Sequence, residues 1–375
     1  MSDAALAAAD TNRLAVASQW QLMWWAFRRH RAAMIGLWIT ILFYIIAIIP
    51  GFFAINDPSR QNARAVYHPP QPIHFVDTKP DGGWSIWPYV HPTTLKRDPQ
   101  TLASIFTEDT SRKNYVRFFG EGYEYSFFGL FTLNRHLIAF ENMREPIFFL
   151  GADRLGRCVW SRMMQGAQIS LSVGLVGVIL SLVLGVLLGG VSGYFGGRID
   201  FVIQRVIEFV LSLPNIPIWL ALSAALPQNW PATLNYFMIT VILSLTGWAQ
   251  LARVVRGRFL SLRTEEFVTA ARLDGASEGR VIFRHMLPSF ASHIIASMTL
   301  AIPAMILAET SLSFLGLGLQ PPTISWGVLL REAQNIRSIA TAPWLFAPGA
   351  AVVLAVIALN FLGDGLRDAA DPYNK

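Results

Sequence analysis

Along the chain, long apolar runs alternate with short charged stretches. A membrane-crossing helix needs about 20 mostly apolar residues, and six stretches approach or exceed that length: 34–55, 169–191, 201–226, 234–251, 290–312 and 344–362. The third is interrupted by Pro214 and Pro217 and the fifth by Pro303, which free backbone carbonyls that neighbouring helices or water must satisfy. The first run is longer than a signal-peptide apolar core and no A-x-A-like cleavage site follows it, so it reads as an uncleaved span. The pattern predicts an all-α integral membrane protein with six transmembrane helices.

The polar segments divide the rest. Residues 1–33 and 365–375 are short tails, and 56–165 forms a long insert between the first two spans. Its proline, glycine and aromatic content, as in YHPPQPIHF and DGGWSIWPYVHP, predicts short strands and turns in a small irregular outer domain. Residues 166–364 form a second block of spans. Arg28, Arg29, His30 and Arg31 precede the first span, and Arg253, Arg256, Arg258 and Arg263 follow the fourth. By the bias of basic residues toward the cytoplasm, both sides so marked are inside. Six crossings then place both termini in the cytoplasm and the insert outside.

Composition agrees with this division. Charged residues make up 14% of the chain, against about 25% in soluble domains, and mean hydropathy is +0.42. The net charge of +6 reflects basic residues beside apolar runs. It forms no basic stripe interleaved with exposed aromatics, so nucleic acid is not an expected partner. Cys158 stands alone, which excludes an internal disulfide framework. His68, His74 and His91 have no metal-ligand spacing and read as loop histidines beside prolines. No phosphate-binding G-x-x-x-x-G-K-[ST] loop, H-E-x-x-H or G-x-S-x-G is present, so the chain is not expected to be an enzyme or to hold a cofactor.

Within the spans, Gly177, Ser181, Gly185, Gly189 and Gly193 recur every four residues. Such a stripe lets a neighbouring helix approach closely. Ionisable groups inside spans are costly. Glu208, one turn after Arg205, and Asp364 read as partners of interfacial arginines. Glu309, late in the fifth span, is expected where an outward-facing cavity opens. The loop 316–326 that follows contains Gly316, Gly318, Pro321, Pro322 and Trp326, and its punctuation predicts a rigid, shaped turn.

One charged stretch interrupts the apolar pattern on the inner side, EEFVTAARLDGASEGRVIFRHMLP at 265–288. Thr264 is placed to cap a helix whose first turn carries Glu265 and Glu266. Gly275 suits the left-handed residue that closes it. Ser277 is placed to cap a second helix, and Pro288 stands near the return to the membrane. The prediction is a helical hairpin over 264–288 with a slim Ala-Ala-Arg-Leu-Asp-Gly-Ala apex.

This stretch resembles the EAA coupling motif of ABC importer permeases. The residues that carry the likeness are Thr269-Ala270-Ala271, Gly275 four residues later, and Leu287-Pro288, with Glu266, Asp274 and Ala276 between and around them. Thr269 departs from the motif's glutamate, and His285 is familiar from the peptide branch, whose permeases often read RHxLP. Four further stretches resemble the dipeptide/oligopeptide/nickel permease family: LGADRLGRCVWSRMMQGAQISL at 150–171, GYFGGRIDFVIQRVIEFVLSLPNIP at 193–217, ETSLSFLGLGLQPPTISWGVLL at 309–330 and NFLGDGLRDAADP at 360–372. The likeness is to the second permease of the pair and covers the first span and 150 onward.

The resemblance implies a type I ABC importer permease fold in a bacterial inner membrane. It implies a second homologous permease, two ATP-binding subunits that bind the ATP, one of them docked on the 264–288 hairpin, and a periplasmic solute-binding protein. It implies that the 316–326 loop lies near the binding protein's docking surface, with Glu309 beside it. Small peptides are the first expectation for cargo. An oligosaccharide, an opine-like solute or a nickel complex is the alternative, since the binding protein does much of the selecting. An ion-driven secondary transporter, or a membrane enzyme using the acids Asp98, Glu108, Asp109, Glu121 and Glu124, would be an unrelated class. No pair of repeats supports the first, and scattered solvated charges explain the second. Trp84, Trp87, Tyr89, Tyr123 and Tyr125 are expected to form the insert's small core, with sugar stacking as the other reading.

Overall fold

The computed structural model describes residues 18–78, 84–100, 104–142, 145–227, 229–335 and 340–370. The predicted tails 1–33 and 365–375 lie partly outside these, and so does the side chain of Trp84.

The described chain begins with α1 (Gln19–Arg29). Ser18 and Gln21 close a reciprocal capping box at its start, which satisfies two otherwise orphaned N–H groups. Helix α2 (Arg31–Ile48) carries the first apolar run, and a break at Ile49 leads into the single turn α3 (Pro50–Phe53). The run expected as one span is therefore split, and Pro50 occupies the first helical position, where its missing N–H costs nothing.

The insert has the short strands expected, but they pair regularly rather than irregularly. Its described residues form eight strands: β1 (His74–Thr78), β2 (Trp84–Val90), β3 (Thr93–Arg97), β4 (Ser104–Glu108), β5 (Asn114–Phe118), β6 (Glu121–Phe127), β7 (Phe131–Arg135) and β8 (Ile138–Phe140). They make an antiparallel sheet ordered β1-β2-β5-β8 and two hairpins, β3-β4 and β6-β7. A small core of Ile55, Val90, Val116, Phe140 and Ile147 holds the sheet to the chain on either side. Tyr89 is buried, whereas Trp87 is exposed and donates its indole N–H to Val116 O at 2.7 Å. Tyr123 and Tyr125 are half-buried around His136. The aromatics thus only partly supply the core, which is mainly aliphatic.

The insert ends earlier than expected. Helix α4 (Val159–Phe195) starts before the apolar run and extends past it. At 1.5 Å per residue it spans about 55 Å, well beyond the roughly 30 Å of a hydrocarbon core. Next come α5 (Gly197–Ser212) and α6 (Asn215–Ala224), bent by 86° at Leu213–Pro214. The sequence locates the break but not its size. Counted by length and hydropathy among the described residues, five helices are able to cross a membrane, or six if this bent pair is one crossing.

Helix α7 (Ala232–Leu262) forms the most extensive pair with α4. The charged stretch then folds as α8 (Glu266–Leu273), α9 (Glu278–Arg280), a wide turn at Val281–Met286 and α10 (Leu287–Ser289). Helices α11 (Ala291–Phe314) and α12 (Trp326–Glu332) lead through a tight turn at Pro343–Phe346 into α13 (Ala347–Ala370). Gly365 of α13 abuts Ala33 and Phe27, so the start of α2 and the end of α13 share one end of the bundle. That end also holds Tyr194, Phe259 and Phe290 in one cluster. The opposite end holds Ala47, Met163, Trp326 and the insert.

Candidate functional site

The 264–288 segment is a folded hairpin seated on the bundle. Val268 and Ala271, one helical turn apart, are buried against Val255 and Phe259 of α7 and Tyr194 of α4, together with Val281, Met286 and Phe290. The opposite face is exposed: Thr269, Ala270, Asp274 and Gly275 face solvent, Phe267 is 41% exposed and Leu273 is 83% exposed. Glu266 is exposed in the first turn, and Arg272 stacks its guanidinium 4.9 Å from the Tyr194 ring centre.

Gly275 has φ 76°. The Ala276 N–H donates to Ala271 O at 3.1 Å and the Gly275 N–H to Arg272 O at 3.0 Å. This left-handed closure satisfies carbonyls that a helix end otherwise orphans. The capping prediction fails at Thr264, whose hydroxyl donates back to Ser261 O; Glu265 is the capping residue, with no side-chain bond. Ser277 occupies its predicted position but also makes no side-chain cap bond. Ala276, His285 and Leu287 are half-buried and Pro288 is exposed.

The hairpin's support is pinned electrostatically. Arg256 of α7 binds Asp200 of α5 through Nε and Nη2 at 2.5 and 2.6 Å, and the Ser192 hydroxyl of α4 donates to the same carboxylate. The two parallel N–H···O bonds fix α7 to α5, and the Ser192 bond brings in α4. Glu208 pairs with Arg205 at 2.6 Å on an exposed face, whereas Asp364 is exposed and has no ion pair among the described residues.

The small-residue stripe runs along the α4–α7 seam. A Cβ added at Gly189 would stand 2.4 Å from Ala252 O, one at Gly193 2.6 Å from Phe259 Cβ, and one at Gly185 2.9 Å from Leu251 Cβ. Ser181 donates to Ser244 O at 3.2 Å, and Gly177 faces Met305.

Glu309 is not at the mouth of a cavity. It is fully buried. Three serine hydroxyls donate to its carboxyl: Ser170 of α4 at 3.3 Å, Ser313 at 2.8 Å and Ser325 at 2.8 Å. Each of those hydroxyl oxygens accepts a backbone N–H in turn, from Trp326, Leu319 and Val328 respectively. A buried polar group persists only when it is hydrogen-bonded. Here the carboxyl is the hub from which the whole turn between α11 and α12 is hung. Trp326 is likewise internal, with its indole N–H on Met163 O at 3.0 Å. Gly318 is buried against Ser313, Gly316 has φ 82° beneath Arg331, and Pro321 and Pro322 are exposed. The exposed part of the turn is therefore its proline tip with Leu317 and Gln320, while Glu309 and Trp326 form its foundation.

A second buried polar cluster lies beside it. Arg157 binds Asp153 at 2.6 Å and Glu332 at 2.8 Å, and Arg162 approaches Asp153 at 3.5 Å. Burial holds the Glu332 carboxyl above the usual range, against the opposing pull of these arginines. The cluster joins the base of the insert to α12.

Sequence reasoning missed one feature of the core. A cavity of about 580 Å³ opens between α4, α6, α7 and α11. Its wall is mainly apolar, with Ser181, Asn215, Thr246, Gln250 and Ser297 as polar points and no ionisable residue. Asn215 and Gln250 inside apolar stretches were the available signal.

The family described as "Binding-protein-dependent transport system inner membrane component" matches residues 159–374, and "N-terminal TM domain of oligopeptide transport permease C" matches 18–70. The chain belongs to this binding-protein-dependent family: it is a membrane-embedded permease subunit of the ABC importer class. It is similar to the dipeptide transport system permease protein DppC of Bacillus subtilis, 41% identical over 226 residues, covering 60% of this chain and 68% of that one. The oligopeptide transport system permease protein OppC of the same organism is 36% identical over 225 residues, 60% and 71% of the two chains. Among solved structures, a chain of the MetNI methionine ABC transporter in inward-facing conformations covers 56% of this chain and 96% of that one, at 15% identity and a TM-score of 0.43. Residues 71–158 lie between the two family segments.

Proposed function

We propose that this chain is the second permease of a peptide importer, with the type I six-crossing arrangement in which the bent α5–α6 pair is one crossing. Its termini and the 264–288 hairpin lie in the cytoplasm and the insert in the periplasm. The observation that carries this reading is the hairpin itself, rooted in the bundle by Val268 and Ala271 yet presenting Phe267 and Leu273 to solvent. Exposed apolar side chains rimmed by charge mark a protein-docking surface. An ATP-binding subunit seated there transmits its closure through α7 and α11, whose ends the hairpin grips. A second ATP-binding subunit serves the partner permease, and ATP is bound by those subunits. The four-residue stripe serves α4–α7 packing, and the uncharged cavity forms half of the pathway.

Peptide cargo is supported by the names of the relatives and by that cavity, which has no fixed charge to select one side chain. The proline tip at Pro321 and Pro322, together with the insert, offers the outer surface for a solute-binding protein. The test is purification of the chain from membranes in mild detergent, with mass spectrometry of its companions. A second permease and two ATP-binding subunits are the expected companions. Recovery of the chain alone overturns the proposal.

A further inference from the structure

The β6–β7 hairpin of the insert ends in an uncharged apolar tip, Ser126-Phe127-Phe128-Gly129-Leu130-Phe131-Thr132. Phe128, Leu130 and Phe131 are 62%, 74% and 65% exposed. The turn is closed by the Leu130 N–H on Phe127 O at 3.0 Å, and both Phe128 (φ 49°) and Gly129 (φ 72°) are left-handed. Glycine, asparagine and aspartate favour that conformation; a phenylalanine holds it at a cost. Among the described residues only the Phe127 ring, edge-on at 4.9 Å, packs against the Phe128 ring, which stays 62% exposed.

The direction of the hairpin follows from its footing. The Leu137 N–H donates to Phe52 O, His136 Nδ1 lies 2.7 Å from Gly51 O, and the Tyr125 ring packs on Gly51. Further along the hairpin, Phe127 and Phe128 share a cleft with Ile48 and Ile49 and with Gln165 and Gln168 of α4, its polar side lined by Asp57, Ser59 and Glu124. Passing from the root to the tip therefore runs from Phe52 back toward Ile48, the end of the α2 span. Gln168 directly precedes the apolar run of α4. Phe127 and Phe128 therefore stand near Ile48, the last residue of α2, whose exposed apolar side chains include Trp38, Leu42, Ile45 and Ile48.

We infer that the Phe127–Phe131 tip is inserted into the outer leaflet of the bilayer, anchoring the insert to phospholipid beside the first span. The inference rests on the membrane-spanning reading of α2 and α4. Proximity of the tip to Ile48, at the end of an apolar span with exposed side chains, is what selects lipid over a protein partner. Phenylalanine and leucine are among the side chains that interfacial elements bury, about 5–10 Å into the headgroup boundary.

The experiment places a nitroxide at Leu130→Cys, and separately at Phe128→Cys, in the full chain with its co-purifying subunits. The complex is held in nanodiscs of phosphatidylethanolamine and phosphatidylglycerol. Native Cys158 is buried and does not compete for label. Collision rates with oxygen and with a water-soluble nickel chelate are compared with labels at Trp38→Cys on α2 and Lys96→Cys on exposed β3. Lipid insertion predicts an oxygen-to-nickel ratio at both tip sites severalfold above Lys96→Cys and near that of Trp38→Cys. A ratio equal to that of Lys96→Cys means a solvated tip and overturns the inference. Low collision with both reagents means a protein covers the tip and also overturns it. Should Trp38→Cys itself prove water-exposed, the membrane reading of the spans has failed, a result distinct from failure at the tip alone.

Discussion

Replacing Glu309 tests whether the turn between α11 and α12 is held by one buried carboxyl. Each of Ser170, Ser313 and Ser325 already accepts a backbone N–H, so its own hydroxyl hydrogen is committed to Glu309. Glutamine fits the space, but its amide nitrogen donates where the carboxyl accepts. With that nitrogen turned toward Ser170, the longest of the three bonds, one hydroxyl hydrogen is left without a partner. A buried unsatisfied group costs about 1–3 kcal/mol, and that is the expected loss for Glu309→Gln. Glu309→Leu removes the acceptor from all three hydroxyls, and the loss is expected to exceed the glutamine value at least twofold. Partial relaxation keeps it below a simple sum.

Unfolding of the purified complex in mixed micelles gives the stability difference, and amide exchange locates it. Protection should fall at the N–H groups of Leu319, Trp326 and Val328, which hang from the three serines, and remain unchanged at the hairpin on the other end of the bundle. The pair Glu309→Gln with Ser170→Ala, which removes the orphaned hydroxyl, should be non-additive by about 0.5–3 kcal/mol, as for residues in one network. If Glu309→Leu matches the parent in stability and the turn keeps its protection, the carboxyl is not the hub and the reasoning fails.

Two further perturbations reach other parts of the molecule. Ala271→Glu sets a carboxylate against Val255 and Phe259, at a cost on the order of 1–3 kcal/mol or more, and Gly275→Pro is incompatible with φ 76°; both should leave ATP hydrolysis and membrane insertion measurable while solute uptake is lost, and unchanged uptake in both refutes the coupling role. His68 is buried beside Phe106 and Phe148 with a backbone acceptor at Pro69, and burial lowers its imidazole below 6.5. The unfolded insert therefore binds more protons there, so stability is complete above pH 6.5 and falls as pH drops toward the folded value. Amide exchange in β3, corrected for intrinsic rate, should rise between about pH 7.5 and 5.5 in the parent and stay flat in His68→Gln; a flat parent profile refutes it.

Which of these features was legible beforehand follows from how local their physics is. The hairpin was readable because its determinants are neighbours in sequence: acids in the first turn, Gly275 at the closing position, small residues at the apex. The position of the α5–α6 break was readable from Pro214, but its 86° bend depends on what α6 packs against. Span lengths were underestimated because α4 and α7 continue as helix through polar residues, and hydropathy registers the bilayer rather than the helix. Short strands in the insert were legible from its turn residues, but their pairing into one sheet was not, because half-exposed strands alternate weakly and their partners are distant in sequence. The roles of Glu309 and Trp326 were the least accessible. A glutamate near the end of a span looks like a cavity residue, and only Ser170, 139 positions away, converts it into a structural hub. In the same way Gly51 takes its meaning from Tyr125, across the insert. Long-range partners decide whether a polar residue in a membrane protein faces solute or supports the fold, and composition along one stretch carries no record of them.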